Sequence, residues 1–490
     1  MAQKNRPGMV LTVLLFLLVA VFLQAPGYAR VRPIISPDDI ESIRFLSPNN
    51  MPVKVLVVYS PEFGNVGFIK SLIKIVAGMH EKGQVKPEHA FKVHLIPTMR
   101  SKKSDFAELR KEFSAALLKK YVEFSDAEVN NDVWMQDWGE VGVVKLKSER
   151  KAQLVVFDSN RGRGTGDLPS RLAHFWNGFV MKNPSKAQSA GDYGGNIEVT
   201  PDNILLIGNT STPQLRKYLE KHGYANRMAV LESDWLNVGH VDEYVSVCPN
   251  PKAPRGYTLI KANPRLALRL IKDSSASELG TIKQREYRDM LINVRKYLRE
   301  ADRKRGKRVK EGDDKVPPQE QFSDAVVDYL TKDESGAFVL PSIDLSFGSR
   351  SGTSSSPSDK VVEDFIKLNL TLANLIDTNV KAACDKISQV RKESKKSHSV
   401  ISFPALFRKM RGDKHIAYIP GSVNQLILNN QLIVPDPQVE CLRKNIARTA
   451  RMIGLNANFV DSLPYHDAQG QIHCGTNVFR HPNRYFVRPR

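Results

Sequence analysis

Cys474 lies in residues 471–480 (QIHCGTNVFR), directly after His473 and ahead of a glycine, a threonine and an asparagine. Residues 235–246 (WLNVGHVDEYVS) carry His240 and Asp242 one residue apart, and residues 131–142 (NDVWMQDWGEVG) hold Asp137 in an apolar frame. A thiol, an imidazole and two carboxylates suffice for nucleophilic attack on a cationic carbon. The carbon of a guanidinium is a poor electrophile because its charge is delocalised, so breaking its C–N bond makes three demands. Carboxylates must hold the planar fork by paired hydrogen bonds. A strong nucleophile, best a thiolate, must attack. A proton must reach the departing amine, and histidine is the usual donor. Each residue also has an ordinary reading by itself: a histidine–aspartate pair in a core, a packed cysteine, a turn aspartate.

These residues need a scaffold that brings distant segments together. Residues 238–248 alternate as a strand does, which would place His240 and Asp242 on one face. Gly239 and Gly475 would permit close approach on either side. Valine-rich residues 52–60 and residues 91–97 predict buried strands, and residues 68–80 have apolar side chains at helical spacing. Residues 106–124 predict one long amphipathic helix. Residues 142–146 and 154–157 suggest a strand pair, and residues 204–207 a further strand. Helices are expected over 213–222, 361–380 and 437–453, and strands over 416–419 and 425–428. Short strands alternating with helices make the fold class α/β. No short-period sequence repeat is visible.

The 490 residues, 41% hydrophobic and 25% charged, describe a globular chain with a good core rather than a disordered one. A net charge of +20 favours anionic partners. Six of the eight residues 303–310 (RKRGKRVK) are basic, either a solvated loop or a contact for a polyanion. They belong to a stretch, about 274–358, whose polar and Ser/Gly-rich composition reads as an insertion or mobile lobe. Residues 1–29 resemble an export signal: Lys4 and Arg6, then an apolar run over 10–23, then small residues ending at Ala29. The expectation is export to the periplasm or medium, with residues 30–490 as the mature catalytic domain. An uncleaved membrane anchor is the alternative. Four cysteines are too few for a disulfide scaffold, and setting Cys474 aside leaves at most one pair among Cys248, Cys384 and Cys441.

Taken together, these segments resemble the catalytic domain of peptidylarginine deiminases. The matching pieces are residues 131–142, 157–164 (FDSNRGRG), 194–199 (GGNIEV), 235–246, 420–439 (PGSVNQLILNNQLIVPDPQV) and 472–478 (IHCGTNV). They fall in the family's order, and the stretch 274–358 is the least similar. The resemblance implies a pentein fold, a pseudo-five-fold propeller of ββαβ-type modules. It implies Cys474 as nucleophile, His240 as general acid and later base, and Asp137 and Asp242 as guanidinium carboxylates. The implied reaction turns peptidyl arginine into citrulline and ammonia through a covalent thiouronium. His473 receives only a neighbouring role.

The same resemblance assigns Arg161 and Arg163 to the backbone of a peptide substrate, with Trp134 and Val238 lining the slot for its aliphatic stem. It also implies one Ca²⁺, held by Gln136, Glu140 and Glu198 with backbone oxygens of Gly194 and Ile197; hard oxygen donors suit that ion. A second calcium position is broken, because Trp138 and Gly162 stand where ligands are needed. Two other functions share these residues: an agmatine or free-arginine deiminase, and an inactive pentein that binds basic peptides or polyanions. The partners expected are proteins or peptides with exposed arginine, with no specific nucleic acid.

Overall fold

The computed structural model describes residues 34–101, 106–163, 167–186, 188–304, 357–392 and 399–488. The expected export signal, the Ser/Gly-rich segment up to residue 356 and all but the first two residues of the basic run lie outside them. Strand β1 (Ile40–Phe45) leads into β2 (Asn50–Tyr59), helix α1 (Val66–Glu81), β3 (Lys92–Pro97) and β4 (Val122–Phe124). Then come β5 (Gly139–Leu146), β6 (Gln153–Asp158), α2 (Leu168–Phe175) and β7 (Phe179–Lys182). A third group is β8 (Ile197–Val199), β9 (Leu205–Gly208), α3 (Pro213–Leu219) and β10 (Met228–Leu231). A fourth is β11 (Val245–Pro249), β12 (Tyr257–Asn263), helices α4 (Pro264–Asp273), α5 (Arg285–Lys304) and α6 (Asp359–Arg391), then β13 (Val400–Pro404). After the hairpin β14 (Phe407–Lys409) and β15 (His415–Ala417), β16 (Leu426–Leu428), β17 (Gln431–Pro435), α7 (Glu440–Met452) and β18 (Asn456–Val460) form the last group, and β19 (Thr476–Tyr485) ends the chain.

Among the described residues, one pairing pattern recurs five times. An antiparallel pair is followed by a helical crossover to a parallel third strand in β5–β6–β7, β8–β9–β10, β11–β12–β13 and β16–β17–β18. The fifth unit is shared between the chain ends: β19 pairs antiparallel with β2, which pairs parallel with β3. The α/β class and a module count of five therefore agree with a pentein fold, although no repeat shows in the sequence. Each module preserves strand direction and burial, which many different apolar residues satisfy.

Local chemistry accounts for the elements. In β2, Val55 to Tyr59 are fully buried on both faces, as a strand covered from both sides must be. Helix α1 turns Phe68, Ile69, Leu72, Ile73 and Val76 to the core. Asn263 caps α4 by accepting from the Leu266 N–H, with Pro264 in the first turn.

Two sequence expectations need correcting. Residues 106–124 form two short helices, Ala107–Glu112 and Ala115–Tyr121, before β4. Phe113 is extended between them, and the Ser114 hydroxyl caps the second by accepting from Leu117 N. Residues 238–244 are not strand. Gly239 takes φ +86°, and a single 3-10 turn (Val241–Glu243) precedes β11. Glu243 folds back to accept the His240 N–H at 3.2 Å, which a strand would not allow.

The stretch read as an insertion begins inside the fourth crossover. Leu279, Ile282, Tyr287, Met290, Leu291 and Val294 pack with Val362, Phe365 and Ile366 of α6 in one buried cluster. Its described start is thus part of the core. All four cysteines are free.

Candidate active site

Asp137 lies in the turn that leads into β5. Gly139 follows that turn at φ +152°, where any Cβ would overlap the Phe157 carbonyl of the paired strand. Cys474 lies in the turn before β19. The two turns are stitched together: Gln136 N donates to the Cys474 carbonyl at 3.1 Å, and Asn477 Nδ2 to the Gly139 carbonyl at 3.1 Å. The third turn, bearing His240 and Asp242, is anchored by Asn196, whose Oδ1 accepts from Val241 N at 3.2 Å. Residues far apart in sequence thereby share one buried site.

At its centre is a notch over Gly195. A Cβ there would lie 2.5 Å from His240 Nδ1, 3.2 Å from Asp242 Oδ2 and 3.3 Å from Asp137 Oδ1. The absence of a side chain at Gly195 lets an imidazole and two carboxylates converge closely over its backbone. His240 Nε2 lies 2.8 Å from the Ala190 carbonyl, while its Nδ1 and the Oδ1 atoms of Asp137 and Asp242 are buried without a hydrogen-bond partner. Buried polar groups left this way are uncommon and call for an occupant. Cys474 Sγ is 3.9 Å from Asp242 Oδ2. A cleft of about 230 Å³ opens onto Cys474, Asp137 and His240, and Trp134, Val238, Arg161 and Arg163 line it.

Burial pushes the Cys474 thiol well above its ordinary range, and the neighbouring charges of Asp242, Asp137 and Glu243 add to the shift. Burial likewise raises Asp137, against the lowering pull of His240 and Arg161. A cation placed in the notch would relieve both. Glu243, holding the His240 backbone, is raised to about 8, chiefly by burial and then by Asp242.

Several residues have roles that their sequence positions did not announce. His473 Nδ1 is 2.7 Å from Asp242 Oδ2. Asn424 Oδ1 accepts from Cys474 N at 3.2 Å and lies 3.4 Å from Sγ. Asp132 pairs with Arg161, and the Tyr193 ring covers the Arg161 guanidinium at 4.7 Å. Asn424 stood in a segment already recognised as a match, and Asp132 stood two residues before Trp134, but nothing in their spacing assigned a partner. Of the sequence-selected residues, Arg163 is exposed at the cleft, whereas Arg161 is buried against carboxylates.

The residues expected to hold calcium surround a second, smaller cavity of about 60 Å³, lined by Gln136, Glu140, Ile197, Glu198, His473 and Arg480 among others. Gln136 Nε2 donates to Glu140 Oε1 at 2.5 Å. A Cβ on Gly194 would meet the carbonyls of Gln136 and Gly139 and a carboxylate oxygen of Glu140. Burial raises Glu140 well above its usual range, with Glu198 as the next cause. Glu198 is raised to about 7, again mainly by burial. Arg480, fully buried nearby, donates to the carbonyls of Pro48, Asn50 and Ile427. Among the described residues, no group of three or more His, Cys, Asp or Glu side chains is placed to hold a metal. At the expected second position, Trp138 is fully buried and Ser159 Oγ donates to the Asp137 carbonyl.

Residues 83–308 and 357–486 match the family model described as protein-arginine deiminase. Human protein-arginine deiminase type-4 is 26% identical over 384 residues, 73% of this chain and 48% of that protein. The human type-3 protein is 27% identical over 382 residues, 73% of this chain and 47% of that protein. The chain thus spans about half the length of the curated relatives it matches. Among solved structures, the agmatine deiminase of C. jejuni is similar with 13% identity and a TM-score of 0.46, over 90% of this chain and 96% of that one.

Proposed function

Because the chain belongs to the protein-arginine deiminase family, we propose that it hydrolyses the guanidinium of peptidyl arginine to citrulline, releasing ammonia. The observation that carries this reading is the Gly195 notch, where two carboxylates and an imidazole converge beside a thiol. A planar cation entering there finds Asp137 Oδ1 and Asp242 Oδ2 as acceptors. Burial first, and then these carboxylates, hold the thiol protonated; the substrate's charge offsets the carboxylates, so Cys474 ionises as the substrate binds and its proton passes to His240. Sγ then bonds to the guanidinium carbon. One C–N bond breaks, and ammonia leaves with a proton delivered by His240. Water, deprotonated by His240, attacks the resulting thiouronium carbon. The C–S bond breaks, the thiol is restored and citrulline departs.

Trp134 and Val238 flank the path that the substrate's methylene stem would take. Arg163, exposed at the rim, is free to face a peptide backbone. Agmatine or free arginine as substrate is the second reading, favoured by one observation: the other arginine assigned to the peptide is turned onto Asp132 and Asp137.

Calcium belongs to the proposal. The donor set fits a hard cation, since two buried carboxylates, both raised chiefly by burial and Glu140 next by Glu198, line one cavity beside the carbonyls of Gln136 and Gly139. Gln136, Glu140 and Glu198, with carbonyls at Gly194 and Ile197, would hold it. When bound, it would neutralise Glu140 and Glu198 and fix the turn that carries Asp137. Export of the mature chain, a polyanion contact through residues 303–310 and the covalent intermediate belong to the proposal as well.

The test is ammonia and citrulline release by purified protein from a blocked arginine peptide, free arginine and agmatine, with and without calcium. Calcium-dependent turnover of the peptide alone supports the whole reading. Turnover of the small guanidines alone moves the assignment to the second one. With the thiol demonstrably reduced, no turnover of any substrate refutes both.

A further inference from the structure

Arg161 points its guanidinium inward. Nε and Nη2 donate to the two oxygens of Asp132 at 2.6 and 3.1 Å, and Nη1 donates to Asp137 Oδ2 at 2.8 Å. The side chains of Arg161 and Asp132 are each 2% exposed and that of Asp137 is 9% exposed. Tyr193 lays its ring over the guanidinium face at 4.7 Å. Asp132 also accepts from Trp134 N at 3.2 Å, and the Trp134 carbonyl accepts from Asp137 N at 3.2 Å. Both the side chain and the backbone of Asp137 are therefore tied to Asp132.

The consequence for Asp137 is specific. Oδ2 is held by Arg161, so Oδ1 is the oxygen left without a partner, and it faces the Gly195 notch and His240 Nδ1 at 3.6 Å. Swinging Arg161 out to a neutral peptide carbonyl would exchange charged acceptors for a weaker one and strand two buried carboxylates. We infer that Asp132, acting through Arg161, is a positioning residue for Asp137, and that Arg161 orients the guanidinium-binding carboxylate rather than gripping a peptide backbone. Peptide recognition then falls to Arg163 at the rim. The inference rests on the guanidinium-hydrolysing reading of the site.

The test compares a minimal blocked arginine amide with a longer arginine peptide. Asp132→Asn and Arg161→Lys lower kcat/KM about tenfold or more for both substrates alike, so the peptide-to-minimal ratio stays at its wild-type value. Asp132→Glu recovers part of the loss. Arg163→Ala lowers the ratio instead. A second arm measures calorimetric binding of the blocked arginine amide in a Cys474→Ser background, where Asp132→Asn weakens affinity by a similar factor. This arm still decides the matter if the wild-type protein releases no ammonia, an outcome that sinks the proposed reaction by itself. If Asp132→Asn does not fold by circular dichroism, Arg161→Lys, which keeps the charge but lacks the fork, carries both arms. Losses confined to the longer peptide, or no change with either substrate, overturn the inference.

Discussion

His473 Nδ1 lies 2.7 Å from Asp242 Oδ2, so the residue before the nucleophile holds one of the carboxylates that face the notch. Burial alone would lower His473, but the hydrogen bond and charge of Asp242 outweigh it and raise the imidazole above its ordinary range. His473 also lines the cavity that contains Glu140 and Glu198. Replacing His473 with Ala leaves Asp242 without this donor. Charge-assisted hydrogen bonds of this kind are worth about 1.5–3 kcal/mol, so kcat/KM should fall about 10- to 100-fold. Steady-state kinetics on a blocked arginine peptide check this; unchanged kinetics would remove His473 from the site.

Gly195→Ala places a methyl group 2.5 Å from His240 Nδ1, so the buried imidazole must move away from the two carboxylates it faces. Binding should be abolished, because the groups that would hold the guanidinium no longer converge. The check pairs calorimetric titration with a blocked arginine against thermal melting. Retained affinity would show that the notch is not the guanidinium site.

Acid stability should depend on Glu123. His94, partly offset by burial, and then Lys54 hold this carboxyl down at about 2, below its ordinary value. Lys54 on β2 pairs with Glu123 on β4 at 2.6 Å, across the intervening strand β3. Because the folded value is depressed, the stabilisation is complete above about pH 4.5, the unfolded value, and is lost as pH falls toward 2. Urea midpoints of wild type and Glu123→Gln should differ at pH 7 and converge near pH 2. Parallel curves over that range would contradict the assignment.

Arg480→Met should be among the most damaging single changes. It removes a buried cation from beside Glu140 and Glu198 and leaves three carbonyls, of Pro48, Asn50 and Ile427, without a donor. Losing one partner from a buried charge cluster costs about 3–5 kcal/mol. Denaturant unfolding measures the loss, and a difference under about 1 kcal/mol, the scale of an exposed ion pair, would argue against the role.

Much of the chemistry was legible from residue type and local pattern. Cys474, His240, Asp242 and Asp137 stood out as candidates for a nucleophile, an acid and two guanidinium carboxylates once the family resemblance was added, and the structure brings them together. The valine run of β2, the apolar face of α1 and the pairing of β5 with β6 were expected from the sequence, though not the register of that pair. Periodicity failed where a side chain folds back on its own backbone. The Ser114 cap divides a sequence that is helical throughout by pattern, and Glu243 converts alternating residues 238–244 into a turn.

The sequence alone determined which reactive groups exist and which segments can form strands and helices, since those depend on residue type and spacing within a few positions. Tertiary structure decided who meets whom. It set Arg161 on Asp132 and Asp137, His473 on Asp242 and Asn424 on Cys474, and it brought His240, Asp242 and Asp137 together over Gly195. The His473–Asp242 and Asn424–Cys474 pairings join turns of different strand units, whereas Arg161, Asp132 and Asp137 meet at one end of the β5–β6 pair. They arise from how the units pack, and short-range hydrophobic spacing carries no record of that.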